Sequence, residues 1–404
     1  MIIVLGIGGL APWGFGPKRG ARASRGNGGN VMVRLSRARA AAALATGVVA
    51  VSGVLVGASV AANASGGGWH GSSEPKPVVE LDGPRGVAVD QAGRIVVGEA
   101  DGTISLVIDR GREPKVHELG QVPAGFIAPA VAVSRAGRVF ALTTAGEPGT
   151  GAATLYQVRP GRSPKVIADI GAYQQDDPDP FDLEDNPTET NPFGLAALTD
   201  GSVLVADAAG NDLLRVYPNG HIVTVARLAN RVVEVPEELP DEVDGEPLPP
   251  AGARIPSEGV ATSVTVGSDG YWYVGELRGF PATPGTSQIW RIKPGSVDAV
   301  CDPERPNRGD CRRFADGLTS VVDLASGKHG TIYAVQLVNQ SWLQWELGLV
   351  DPPVGGLIKV RPGGSRSEIA PGSFILPGGV DVGLHGKLYV AAPVFGPGAL
   401  LRLG

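Results

Sequence analysis

One twelve-residue pattern recurs six times beyond residue 78, and it limits what this chain can fold into more than any other feature. An apolar strand runs into a turn with glycine, and a second apolar strand leaves it. The copies are GVAVDQAGRIVV (86–97), AVAVSRAGRVFA (130–141), GLAALTDGSVLV (194–205), SVTVGSDGYWYV (263–274), DLASGKHGTIYA (323–334) and GVDVGLHGKLYV (379–390). Gly93, Gly137, Gly201, Gly270, Gly330 and Gly386 each lie seven residues after the start of their copy. Ala-Gly, Asp-Gly and His-Gly suit hairpin turns that require positive φ.

Each hairpin is followed by a third apolar strand: 104–107, 155–158, 213–216, 289–292, 357–360 and 400–403. Several of these lead through a Pro/Gly turn into a fourth, as at 166–170 and 222–228. Four antiparallel strands repeated six times predict an all-β, six-bladed β-propeller over 78–404. The last copy stops after its third strand, whereas Val78–Leu81 is a spare strand ahead of the first. That strand is expected to complete the last blade and cover the edge that an unclosed ring would leave. Composition agrees: Gly 60 and Pro 34 are unfavourable for helix interiors, and 43% apolar residues suffice for a core.

Charge is divided sharply along the chain. Residues 1–39 carry seven bases and no acid and residues 40–64 carry no charge, which leaves −13 of the net −6 for the remainder. So acidic a body argues against a nucleic-acid partner. Residues 32–39 (MVRLSRAR) form a basic segment, 40–62 an uncharged one, and Ala62-Asn63-Ala64 a cleavage pattern. Residues 32–64 are therefore expected to be a signal peptide, with 1–31 upstream of the true start and 65–77 a flexible linker. The expected product is a secreted monomer, extracellular or in the cell envelope, free of the membrane once the signal is removed. Cys301 and Cys311 are the only cysteines, and in an oxidising compartment the pair is expected to form a disulfide.

The copies start 44, 64, 69, 60 and 56 residues apart, so the insertions are large. Most of them (171–191, 229–260, 276–287 and 336–355) fall in connections that a propeller places on one face, and long loops on a rigid scaffold commonly carry function. The exception is the connection with Cys301 and Cys311, on the other face.

NPFGLAALTDGSVLVADAAGNDLLRV (191–216) is similar to the NHL-type propeller repeat. Taken with YVGELRGFP (273–281), CDPERPNRGDC (301–311) and SWLQWELG (341–348), the chain resembles the ScyD/ScyE family from about Val78 to Arg402. That family takes its name from a pathway for the ultraviolet-screening pigment scytonemin. The resemblance implies a secreted propeller and implies no particular reaction.

For chemistry, His329, His385 and His221 adjoin turn glycines and are expected on the face away from the long loops. No G-x-S-x-G elbow, P-loop or H-E-x-x-H occurs. The expected long-loop mouth of the channel is ringed by Asp82, Arg85, Glu99, Asn191, Asp207, Thr262, Ser263, Glu276, Thr319, Ser320 and Gln336, with Trp342 and Trp345 in an overhanging loop. Glu99, Asp207 and Glu276 are the candidate metal ligands, since an all-oxygen set suits Ca²⁺ or Mg²⁺. Glu276 is expected to be partly solvated, and Asp323 is a further carboxylate at a strand end. Asp207 and Asn211 also suit the repeat's own turn. The acidic runs 176–185 and 234–246 read as solvated loops. The function expected is a binding or scaffold propeller that holds a small molecule, peptide or glycan on the long-loop face. The alternative is a divalent-metal-assisted hydrolase or lyase, lactonase-like, built on the carboxylates.

Overall fold

The computed structural model describes residues 74–110, 113–147 and 149–404. The expected upstream segment, signal peptide and most of the linker lie outside the described residues. The rest is a six-bladed propeller of four-stranded antiparallel sheets. Blade 1 comprises Val87–Val89, Ile95–Gly98, Thr103–Ile108 and Lys115–Gln121. Blade 2 comprises Ala130–Val133, Val139–Leu142, Thr154–Arg159 and Arg162–Asp169. Blade 3 comprises Pro192–Ala197, Val203–Asp207, Asp212–Val216 and Ile222–Leu228. Gly259–Val266, Trp272–Arg278, Ser287–Ile292 and Cys311–Leu318 make blade 4. Val321–Ser326, Ile332–Gln336, Val354–Val360 and Arg366–Ile375 make blade 5. In blade 6 Gly379–Val382, Leu388–Ala392 and Pro397–Leu403 are joined by Lys76–Asp82.

The innermost strands touch one another in cyclic order, and the last meets the first. Their residues are buried in succession, as in Pro192, Phe193, Gly194 and Leu195, because each sheet is covered on both faces by neighbouring blades. The closing strand pairs antiparallel with Pro397–Leu403, from Lys76 opposite Arg402 to Asp82 opposite Pro397. It begins two residues before the expected domain start. Leu81 anchors it in a core shared with Val97, Tyr389 and Leu400.

Two short helices sit in the long loops: α1 (Ile170–Asp176), capped by the Asp169 carboxylate, and α2 (Trp342–Glu346). Cys301 and Cys311 form the disulfide, with Cα atoms 5.0 Å apart. Its placement goes beyond the closed loop that the spacing suggested. Ala299–Cys301 adds as a parallel fifth strand to the outer edge of blade 3, while Cys311 opens the outer strand of blade 4. The bond therefore ties the edges of two blades together.

The seam at blade 6 is the one place where sequence-distant strands close the ring. Deleting 76–82 should expose the edge of Pro397–Leu403, reduce soluble yield and lower the melting temperature on the order of 5 °C or more. A deletion variant that melts like the parent in differential scanning calorimetry would refute this role for the strand.

Candidate functional site

The propeller axis is occupied by a cavity of about 270 Å³, walled by the inner strands of all six blades. Their inward edges have no further strand to pair with, so peptide groups line much of it. Three charged side chains join them: Arg85, Asp323 and Asp381.

Arg85 crosses the axis at the long-loop end. Its Nη1 donates to the Ala128 carbonyl at 2.9 Å, its Nη2 donates to the Phe193 carbonyl, and the guanidinium lies 3.8 Å from the Phe193 ring centroid. Burial lowers its pKa to about 10, opposed by nearby Asp323, so it stays charged at neutral pH. Above it Ile127, Phe193, Leu337, Val394 and Phe395 leave only about 10 Å³, roughly room for a single water. Arg85 and this apolar layer close the long-loop end. The cavity extends the other way, to Val89, Val133, Ala197, Val266 and Ser326 at the short-turn ends of the strands.

Both channel carboxylates bridge adjacent blades. Asp323 Oδ2 accepts the Val380 N–H at 2.7 Å, and Asp381 Oδ2 accepts the Val89 N–H at 2.6 Å. Each sits inside the ring yet keeps part of its surface on the water-accessible channel. Loss of bulk water raises Asp323 to about 7 and Asp381 to about 6, against the hydrogen bonds that favour their charged forms. Asp381 was not among the expected site residues. The signal was present in the repeat: the position five before the turn glycine is Ala88, Ala132, Ala196, Thr265 and Ala325 in the other copies.

Most of the expected rim is employed in joining strands. Asp82 is exposed at the end of the closing strand, and its N–H donates to Glu99 Oε2 at 3.2 Å. Glu99 Oε1 accepts the Ser105 hydroxyl at 2.5 Å. Asn191 Oδ1 accepts the Ala145 N–H, and Thr262 donates to the Val321 carbonyl at 2.6 Å. The Ser263 hydroxyl is buried without a partner. Thr319 Oγ1 accepts the Gly285 N–H, while Gln336 Oε1 accepts that of Thr319. Ser320 Oγ accepts the N–H of Trp342, whose indole donates to the Arg278 carbonyl at 2.8 Å. Trp342 is thus a buried bracket rather than a ligand surface.

The three metal candidates do not share a coordination sphere. They sit in blades 1, 3 and 4, and among the described residues no three His, Cys, Asp or Glu side chains group as a metal set. Asp207 is fully buried and accepts the N–H of Asn191, the Thr190 hydroxyl and the Gln174 amide of α1 at 2.7, 2.6 and 3.3 Å. Glu276 is likewise buried, not solvated as expected: it pairs with Arg278, and Oε2 accepts the Trp290 indole N–H at 2.8 Å. Desolvation raises its pKa, countered by Arg278. These residues do not fit a Ca²⁺ or Mg²⁺ centre.

The run 176–185 also departs from expectation by turning inward. Asp177 Oδ1 accepts from Arg227 at 2.5 Å, and Asp179 accepts the Asn211 amide at 2.8 Å. Glu258, against the same loop, accepts the Leu183 N–H at 2.6 Å and is raised by burial to about 7.

What the long-loop face does present is aromatic. Phe395 stacks with Trp345 at 5.8 Å between centroids and tilts against Phe126 at 6.1 Å. Phe126 is 51% exposed. Beside Trp345 in sequence, half-buried Glu346 is raised to about 8 by desolvation, so it is mainly the neutral acid at pH 7 and able to donate a hydrogen bond.

No family model matches the chain, and no curated protein matches it. Among solved structures, the PQQ-bound form of an aldose sugar dehydrogenase from Streptomyces coelicolor is 15% identical, covering 82% of this chain and 97% of its own, with a TM-score of 0.51. A gluconolactonase from Xanthomonas campestris is 12% identical over 82% and 94%, at 0.49. A streptogramin B lyase is 14% identical over 82% and 97%, at 0.44. At such identities the likeness is one of fold.

Two outcomes follow from this geometry. Glu276→Ala should strand the Arg278 guanidinium without its counter-charge, costing about 3–5 kcal/mol and lowering the calorimetric melting temperature roughly 5–10 °C. A variant that melts within a degree of the parent would contradict the buried pairing. The second concerns pH. The folded protein keeps protons on Asp323, Asp381, Glu258 and Glu346 where the unfolded chain, with ordinary carboxyls, has released them. Stability should therefore fall as pH rises from 5 to 8, through the raised values. Asp323→Asn should flatten that slope in melting curves, and a parent whose stability rises across this range would exclude it.

Proposed function

We propose that this chain is a secreted binding propeller of the ScyD/ScyE type that holds a ring-shaped ligand, a small molecule or glycan, on its long-loop face. The observation that carries this reading is the Phe126–Phe395–Trp345 group, aromatic and partly exposed above the Arg85 closure. Flat rings on a fixed scaffold give large contact area at little entropic cost, and neighbouring polar groups orient what lies on them. Glu346 supplies such a group from α2. A blade-to-blade disulfide accords with export to an oxidising compartment. The binding reading is preferred to a metal-assisted hydrolase or lyase because the carboxylates that alternative needs are engaged in strand-to-strand bonds.

Ligand-detected NMR of the full chain against mono- and oligosaccharides and small aromatic compounds tests the reading. Trp345→Ala and Phe126→Ala should each weaken any hit roughly tenfold or more. Phe126→Ala should leave the melting temperature nearly unchanged, because that ring is half exposed. Hits whose affinity survives both substitutions would refute the aromatic site.

A further inference from the structure

The opposite face carries a feature that neither the long loops nor the channel explains. A cleft of about 390 Å³ lies between blades 5 and 6, bordered by their first hairpin turns. Lys328, His329, Lys359, Arg361 and His385 line it together with Tyr333, and none of its lining residues is acidic. Among the described residues, none of these five basic side chains takes part in an ion pair. What sets the cleft apart is that its cations face one concavity with no acidic side chain in its wall.

The cleft is also built from a variation confined to adjacent copies. The residue before the turn glycine is Ala92, Ala136, Asp200 and Asp269 in blades 1 to 4, but His329 and His385 in blades 5 and 6. Both histidines hold positive φ, at 58° and 62°, within otherwise matching turns. That conformation is uncommon outside glycine, and here it places an imidazole on the cleft from each side. Lys359, on the third strand of blade 5, stands 5.9 Å from the centroid of the half-buried Tyr333 ring. The wall thus has a cationic part and one aromatic face.

We propose that this cleft binds the anionic group, phosphate or carboxylate, of a sugar-sized ligand, with the sugar ring against Tyr333. Three cationic side chains and two imidazoles around one cleft suit an oxyanion. A cleft of about 390 Å³ has room for more than a bare phosphate, and the exposed part of an aromatic ring gives a saccharide a surface on which to rest. The site lies on the face away from the aromatic rim, so its test does not depend on the ligand bound there.

Isothermal titration of the full chain with inorganic phosphate, glucose 6-phosphate, glucuronate and glucose separates the components. Glucose 6-phosphate or glucuronate should bind, glucose should not, and raising NaCl from 20 to 150 mM should weaken binding as expected of screened charges. Lys359→Gln with Arg361→Gln should reduce affinity roughly tenfold or more at an unchanged melting temperature, and Tyr333→Leu should bring glucose 6-phosphate down to the affinity of inorganic phosphate. Lys328→Gln with His385→Gln provides a second pair of substitutions outside the strands, should the first pair disturb folding. Failure of every anion to bind below about 10 mM, or binding indifferent to both pairs, overturns the proposal. Inorganic phosphate binding as tightly as glucose 6-phosphate overturns the sugar-sized ligand.

Discussion

Close backbone approach between neighbouring inner strands, at the first position of the repeat in blades 1, 3 and 6, is the constraint on which the ring depends. A Cβ at Gly379 would lie 1.9 Å from the Arg85 carbonyl oxygen, and one at Gly86 would lie 2.7 Å from the Val131 nitrogen. At these two glycines no side chain fits without spreading the blades. Gly194 holds the same place in blade 3, and the copies in blades 2 and 4 use the small Ala130 and Ser263. The exception is Asp323, whose carboxylate turns to the axis and accepts the Val380 N–H of the next blade. Close approach sets the radius of the channel, and with it the small set of side chains that reach the axis.

The same constraint explains why so many polar residues at the long-loop mouth are unavailable to a ligand. Where strands begin side by side, their first N–H and C=O groups lack partners within their own sheets and are buried from water. Asn191, Thr262, Thr319 and Gln336 satisfy such groups across short gaps. Leaving one unsatisfied would cost about 1–3 kcal/mol, so these side chains are committed to the scaffold. The groups on this face that the seams do not need include the rings of Phe126, Phe395 and Trp345.

The fold was legible because its evidence is periodic: the hairpin recurs with its glycine at one spacing, and the spare strand at 78–81 has one unfilled edge to join. The cysteine pair was legible from compartment logic, although that it joins two blades depends on a parallel strand pairing at Ala299–Cys301 with no local signal. The site was less legible because a carboxylate's partner is seldom near in sequence. Asp177 meets Arg227 and Asp179 meets Asn211 only after the 171–191 insertion folds back on blade 3. Glu276 is different. Arg278 stands two residues on, on the same face of one strand, and strand alternation alone would have brought the two together. Asp381 could be read only by aligning the six copies and asking which breaks an otherwise small-residue position.

Arg85 determines how the two faces relate. A propeller axis can in principle join them, yet here the guanidinium spans from blade 1 to carbonyls near blades 2 and 3, under an apolar layer. Swinging it aside would remove two charge-assisted hydrogen bonds while the charge stayed buried, and an unpaired buried charge is among the costliest defects a fold can carry. The axis is therefore a blind channel rather than a conduit. Asp323 and Asp381 meet solvent from the short-turn side, the same side as the basic cleft of blades 5 and 6. An acidic channel and a basic cleft on one face, with an uncharged aromatic rim on the other, divide the molecule into two surfaces of different chemistry, and the Arg85 closure separates them along the axis.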